Sequence, residues 1–262
     1  MMCMTLGSCG QRSYYRLLAK NNDYARKDAV DIAFTYDFDD PRLAALDAKW
    51  NLREIAGAGD TQSQALNLLH WLCAHTVKGN PQSLPEDLRM NADALLDWSF
   101  DRPGNDPNCK HLSIILSECL LAVGIKAYAL WCYPKVYKGD NHVVVQVWLP
   151  EEERWIMLDP SFDLYMMDDT GRILSAPEVR ERLGSGEPLR LNPEGQKVAD
   201  WYFNYMAKDM YYFNRSRDSK HGMLEADRAA WVFLLPAGYE PAEKGNPYYV
   251  TNIYATRESF WR

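Results

Sequence analysis

Apolar residues recur along this chain in two periods, one helical and one extended. Ala65, Leu68, Leu69, Leu72 and Cys73 follow the i, i+3, i+4, i+7 spacing of a buried helix face, and Asp60 or Thr61 stands where a cap belongs. The same spacing returns in Leu112, Ile115, Leu116, Cys119, Leu120 and Val123, with Asp106 or Asn108 as cap and Gly124 as stop. The two-residue period is clear over His142–Leu149, and strands are also predicted at Ile125–Tyr133 before it and at Trp155–Asp159 after it, the last stopped by Pro160. Lys138 to Asn141 breaks the first pair, and Pro150 to Arg154 forms a short polar turn in the second.

The flanks carry weaker signals. Residues 10–28 are polar and basic and predict a peripheral helix. Val30, Ile32, Phe34, Tyr36 and Phe38 alternate with more polar neighbours and predict a strand. Residues 79–107 are rich in Pro and Gly, with a short helix at Asn91–Trp98. Beyond Pro160 the pattern predicts a helix near 195–213 and strand-like runs at Trp231–Leu235 and Tyr248–Ala255. No repeat or linker divides the chain. The reading is therefore an α+β protein, one domain over 1–262. Its central core spans about 60–165, preceded by a helical region at 10–59 and followed by a helix and strand extension at 170–262.

The hairpin register can be counted. If Leu149 pairs with Arg154, Val144 faces Asp159, and His142 becomes the diagonal neighbour of Asp159 on one face with Gln146, Trp148, Trp155 and Met157. A slip of one residue would put His142 and Asp159 on opposite faces.

With 47% hydrophobic and 13% aromatic residues, the 262-residue chain has ample material for a core. The net charge of −7 argues against nucleic acid or an anionic membrane surface as partner. No apolar run reaches the length of a membrane span. The six cysteines (Cys3, Cys9, Cys73, Cys109, Cys119 and Cys132) contain no CxxC pair, which disfavours a disulfide scaffold or structural zinc. Cys73, Cys119 and Cys132 sit in apolar runs and read as small buried hydrophobes. His70 and His75 read as structural or solvated.

Cys109 differs. It stands three residues before Leu112 and so extends the buried stripe by one turn. In that first turn, free N–H groups and the helix dipole favour a thiolate. Singly, Cys109 reads as core, His142 as a hydrogen-bonded strand residue and Asp159 as a turn former. The order Cys, His, Asp, with a shared face for the last two, favours a thiol nucleophile with its base and orienter.

These segments carry a resemblance. Asn108-Cys109-Lys110-His111-Leu112, the helix ending in Val123-Gly124-Ile125, the His142-led strand and Arg154-Trp155-Ile156-Met157-Leu158-Asp159-Pro160 together resemble a bacterial-type member of the transglutaminase-like superfamily. The resemblance covers roughly residues 60–165. It implies a papain-like core with a Cys-bearing helix packed on an antiparallel sheet. It also implies Cys109 as nucleophile, His142 as base, Asp159 as orienter and Trp98 as the nearest candidate for an oxyanion donor. The implied activity is that of a peptidase or amidase on a peptide or protein amide, through an acyl-thioester. A transamidating acyltransferase and a catalytically silent binding or scaffold protein are the alternatives. The signatures of papain itself and of arylamine N-acetyltransferases are absent. No cofactor is implied. Calcium, used by some animal transglutaminases, has no recognisable loop, because Asp37, Asp39, Asp40, Asp168 and Asp169 lack EF-hand spacing. As written, the chain reads as cytoplasmic. Leu6-Gly7-Ser8-Cys9 is similar to the box before a lipidated cysteine, so a start further upstream would make Cys9 a cell-envelope lipoprotein anchor.

Overall fold

A computed structural model describes residues 11–81, 83–101, 103–138, 140–225, 231–240 and 253–262. In chain order its helices are α1 (Gln11–Lys20), α2 (Pro41–Trp50), α3 (Leu52–Ala56), α4 (Thr61–His75), α5 (Ala92–Asp101), α6 (Cys109–Ala122), α7 (Ala176–Ser185), α8 (Ala199–Asp209) and α9 (Arg257–Phe260). The strands are β1 (Thr35–Tyr36), β2 (Ala127–Tyr133), β3 (His142–Leu149), β4 (Arg154–Leu158), β5 (Met166–Met167), β6 (Arg190–Leu191), β7 (Tyr212–Ser216), β8 (Asp218–Ser219), β9 (Trp231–Leu234) and β10 (Ile253–Tyr254).

The main sheet runs in the order β10-β9-β7-β2-β3-β4 and is antiparallel except for the β9–β10 pair. Half of its strands therefore come from the C-terminal part of the chain. Alternation along β3 divides the core. Val143, Val145 and Val147 join the cluster around α6, whereas Val144 joins a second cluster that includes side chains of α1, α7 and α8. Both faces of β2 and β3 are thus covered, and all but Trp148 of their residues are buried.

Helix α6 is more enclosed than a one-sided stripe implies. Every residue from His111 to Ala122 is buried, because α2, α4 and α5 pack on the side turned away from β2 and β3. The helix is Asn-capped at its start, and Gly124 at φ 88° takes the left-handed turn that ends it. Asp60 caps α4 through the N–H of Ser63, as its position predicts.

Three expectations need revision. The first helix stops at Lys20, where Asn21 bonds back to the Leu17 carbonyl and Asp23 accepts the Ala25 N–H, so side chains take over the backbone groups. The alternating run at 30–38 yields only β1 and an isolated bridge from Val30 to Ala255. The rings of Phe34 and Tyr36 lie over the buried Arg215 guanidinium, 3.8 and 5.9 Å from it. The helix expected at 195–213 resolves into a 3₁₀ turn over Pro193–Val198 followed by α8, and Tyr212 already belongs to β7. The Cys9 box and most of the Tyr248–Ala255 run lie outside the described residues. Among the described residues no helix is long and apolar enough to cross a membrane.

Leu120, fully buried in the middle of α6, tests this packing. Leu120→Ala should destabilise the protein by about 2–5 kcal/mol, read as a lower denaturant midpoint with an unchanged slope. A loss below about 1 kcal/mol would mean that the helix is not enclosed on both sides.

Candidate active site

The start of α6 is built by a reciprocal cap. The Asn108 side chain accepts the His111 N–H at 3.2 Å, and His111 Nδ1 accepts the Asn108 N–H at 3.3 Å. Burial, reinforced by Lys110, pulls the His111 pKa down to about 4, so the ring is neutral and fit to accept. This cap holds Cys109 as the first helical residue. Its Sγ lies 4.0 Å from the Asn141 carbonyl oxygen, the residue just before β3.

The β3–β4 ladder pairs Leu149 with Arg154, Trp148 with Trp155 and Val145 with Leu158, which is the counted register. It sets His142 and Asp159 on one face, and His142 Nε2 meets Asp159 Oδ2 at 2.6 Å. Both side chains are fully buried. The remaining contacts of Asp159 are made by the Tyr202 hydroxyl, which donates to Oδ2 at 2.7 Å, and the Ser161 N–H, which donates to Oδ1 at 2.8 Å. The second nitrogen of His142, Nδ1, is the one left for Cys109. The Tyr205 hydroxyl lies 3.2 Å from that nitrogen.

Electrostatics follow from this enclosure. Burial alone would lower the His142 pKa, but the Asp159 charge and hydrogen bond, with help from Cys109, raise it to about 10. Burial would raise the Asp159 carboxyl, yet His142, Tyr202 and the Ser161 N–H hold it below the ordinary carboxylate range. Burial would likewise raise the Cys109 thiol. The hydrogen bond and positive charge of His142 outweigh it, and the net shift is downward. Both shifts run in the direction that favours a thiolate facing an imidazolium. The other thiols go the opposite way: burial pushes Cys73, Cys119 and Cys132 up.

A cleft of about 420 Å³ opens beside Cys109, bordered by Lys78, Lys110, Trp131, Tyr133, Asp140 and Tyr205 among others. Trp98 is not among its lining residues. Its ring packs edge-on against His111 at 6.2 Å, a core contact behind the cap. His70 pairs with Asp163 at 2.7 Å, and His75 bonds the Trp71 carbonyl at 2.7 Å, so neither enters the site. Asp40 and Asp168 serve the backbone as cap and turn residues. Asp40 caps α2, and Asp168 accepts backbone N–H groups of Thr170 and Arg172.

No local motif in the sequence marks Tyr202 and Tyr205, which join the site from α8. They lie one turn apart on α8, so their i, i+3 spacing on an expected helix was the available signal. What was missing was knowledge of where that helix docks.

Residues 49–160 match the family model described as the Transglutaminase-like superfamily. That segment includes Cys109, His142 and Asp159. No curated protein matches the chain. Among solved structures, the periplasmic domain of TgpA from Pseudomonas aeruginosa is similar at 21% identity, covering 56% of this chain and 46% of that one, with a TM-score of 0.34. A chain from Cytophaga hutchinsonii described as a candidate cysteine protease is similar at 14% identity, covering 62% of this chain and 57% of that one, with a TM-score of 0.36. The chain thus spans about half the length of these solved chains.

The pair can be probed through the thiol. Alkylation of Cys109 by iodoacetamide should persist well below the pH at which an ordinary thiol protonates. Asp159→Asn removes the charge that favours imidazolium, lowers the His142 pKa and should move the alkylation limb to higher pH. Tyr202→Phe should move it in the same direction by less. An unmoved limb in Asp159→Asn would mean that the carboxylate does not sustain the ion pair.

Proposed function

We propose that this chain, which belongs to the transglutaminase-like superfamily through residues 49–160, is a cysteine peptidase or amidase. The observation that carries the reading is the buried His142–Asp159 pair at 2.6 Å beside a thiol whose pKa the imidazole lowers. Such an arrangement costs stability unless all its members are present together, and it is the arrangement that activates a nucleophile.

The chemistry follows from these groups. The Cys109 thiolate attacks the carbonyl carbon of an amide, forming the C–S bond and an oxyanion. The N–H groups of Cys109 and Lys110, which start α6 and have no acceptor within the helix, receive that oxyanion. The intermediate collapses with cleavage of the C–N bond, and His142 gives its Nδ1 proton to the departing amine. The neutral imidazole then takes a proton from water, the hydroxide cleaves the thioester, and the acid leaves. The thiolate–imidazolium pair is restored. Asp159 stays ionised throughout and holds the ring through Nε2. An open cleft and a thiol within reach of the imidazole also favour the enzyme over a silent scaffold, which needs neither.

The reading is tested with a fluorogenic peptide-amide library, alongside mass-spectrometric mapping of iodoacetamide adducts. Cys109→Ala should lower turnover by at least about 10³-fold and remove the adduct on the α6 peptide, and His142→Ala should lower turnover comparably. Turnover that survives Cys109→Ala would refute the assignment. Products that shift to the amide when an amine is added would place transamidation ahead of hydrolysis.

A further inference from the structure

The protein carries a net charge of −7, yet the wall of the cleft is cationic. Lys78 and Lys110 both border it. Its one acidic side chain, Asp140, is already paired with Lys208. Neither Lys78 nor Lys110 forms an ion pair among the described residues. Lys78 lies with its Nζ 4.7 Å from the centre of the Phe162 ring, a contact that leaves its charge uncompensated.

Lys110 occupies a poor place for a cation. It is the second residue of α6, where the helix dipole is positive and a carboxylate would be the stabilising choice. It is also half-buried, which lowers its pKa against the opposing effect of Cys109. A half-buried ammonium at the wrong end of a dipole, with no carboxylate partner, costs folding energy. Its position directly after Cys109, on the wall of the cleft, gives that cost a use. Apart from the neighbouring Cys109 thiol group, neither lysine faces an anionic side chain that is not already paired, and a ligand carboxylate would supply one to both.

Resting on the nucleophile reading above, we infer that the site prefers substrates carrying a carboxylate close to the scissile acyl group, with Lys110 and Lys78 as the groups that recognise it. The substrate class is therefore an acidic peptide or amide rather than a neutral one. The positive cleft on an acidic protein would draw such substrates in from solution, with a strong dependence on salt.

The test compares matched peptidyl vinyl sulfones that differ only in Glu or Gln at one of the two residues before the electrophile. Their inactivation rate constants at Cys109 report recognition without requiring turnover. The Glu probe should react about fivefold to tenfold faster at low ionic strength, with the ratio falling towards one as salt is added. Lys78→Met and Lys110→Met should each lower the ratio, and the double variant should abolish it. Lys20→Met, at an exposed position on α1, controls for net charge and should leave it unchanged. A ratio near one in the wild type, or one that survives the double variant, overturns the inference. So does an equal slowing of both probes in Lys110→Met, which would mean that the lysine only stabilises the thiolate. If Lys110→Met fails to fold, Lys78→Met and the salt series decide the question. Absence of any adduct at Cys109, with iodoacetamide as with the probes, would instead refute the nucleophile reading itself.

Discussion

An imidazole and a carboxylate share a fully buried position at the head of the β3–β4 hairpin, and neither charge could stand there alone. Taking either ion out of water costs several kcal/mol, and only close pairing with saturated hydrogen bonding offsets it. His142 and Asp159 pair at 2.6 Å, and Tyr202 and the Ser161 N–H donate two further hydrogen bonds to the carboxylate. Breaking the pair by removing one member would strand the other, so the fold and the proposed chemistry depend on the same contact. The imidazole, held charged by Asp159, is what then draws the Cys109 thiol towards thiolate.

The rest of the structure serves to enclose that pair. Helix α6 is surrounded by α2, α4 and α5 on one side and by β2 and β3 on the other, which fixes its capped first turn against the hairpin. The C-terminal part of the chain is not an appendage to this arrangement. It supplies three strands to the main sheet, and its helix α8 lays Tyr202 on Asp159 and Tyr205 on His142. Phe162 sits tilted beside the His142 ring at 6.0 Å and closes another side. A protein cut after Pro160 would keep the three candidate residues and lose the groups that dry and orient them.

Much of this was legible in the sequence wherever a local rule determines the outcome. The hairpin register follows from the short polar turn at Pro150 to Arg154, which pairs Leu149 with Arg154 and so brings His142 and Asp159 to one face. The cap at Asn108 and the stop at Gly124 are local as well. The failures are tertiary. The run at 30–38 alternates like a strand, but only Thr35 and Tyr36 find a ladder partner, and the rings of Phe34 and Tyr36 pack on Arg215. Helix α7 and strand β7 went unread, since short segments with weak periodicity take their state from what they pack against. Trp98 lies eleven residues before Cys109 in the chain but on the far side of the cap, where it meets His111. Tyr202 and Tyr205 could be placed only once the docking of α8 was known.

The central claim is that the buried Asp159–His142 pair keeps the imidazole charged and thereby lowers the pKa of the Cys109 thiol. The most direct measurement is the ultraviolet thiolate absorbance of the wild type minus that of Cys109→Ala, followed across pH. The account predicts a thiolate band that persists through neutral pH and fades only in acid. A band that grows in only above the pH at which an ordinary thiol ionises would contradict it.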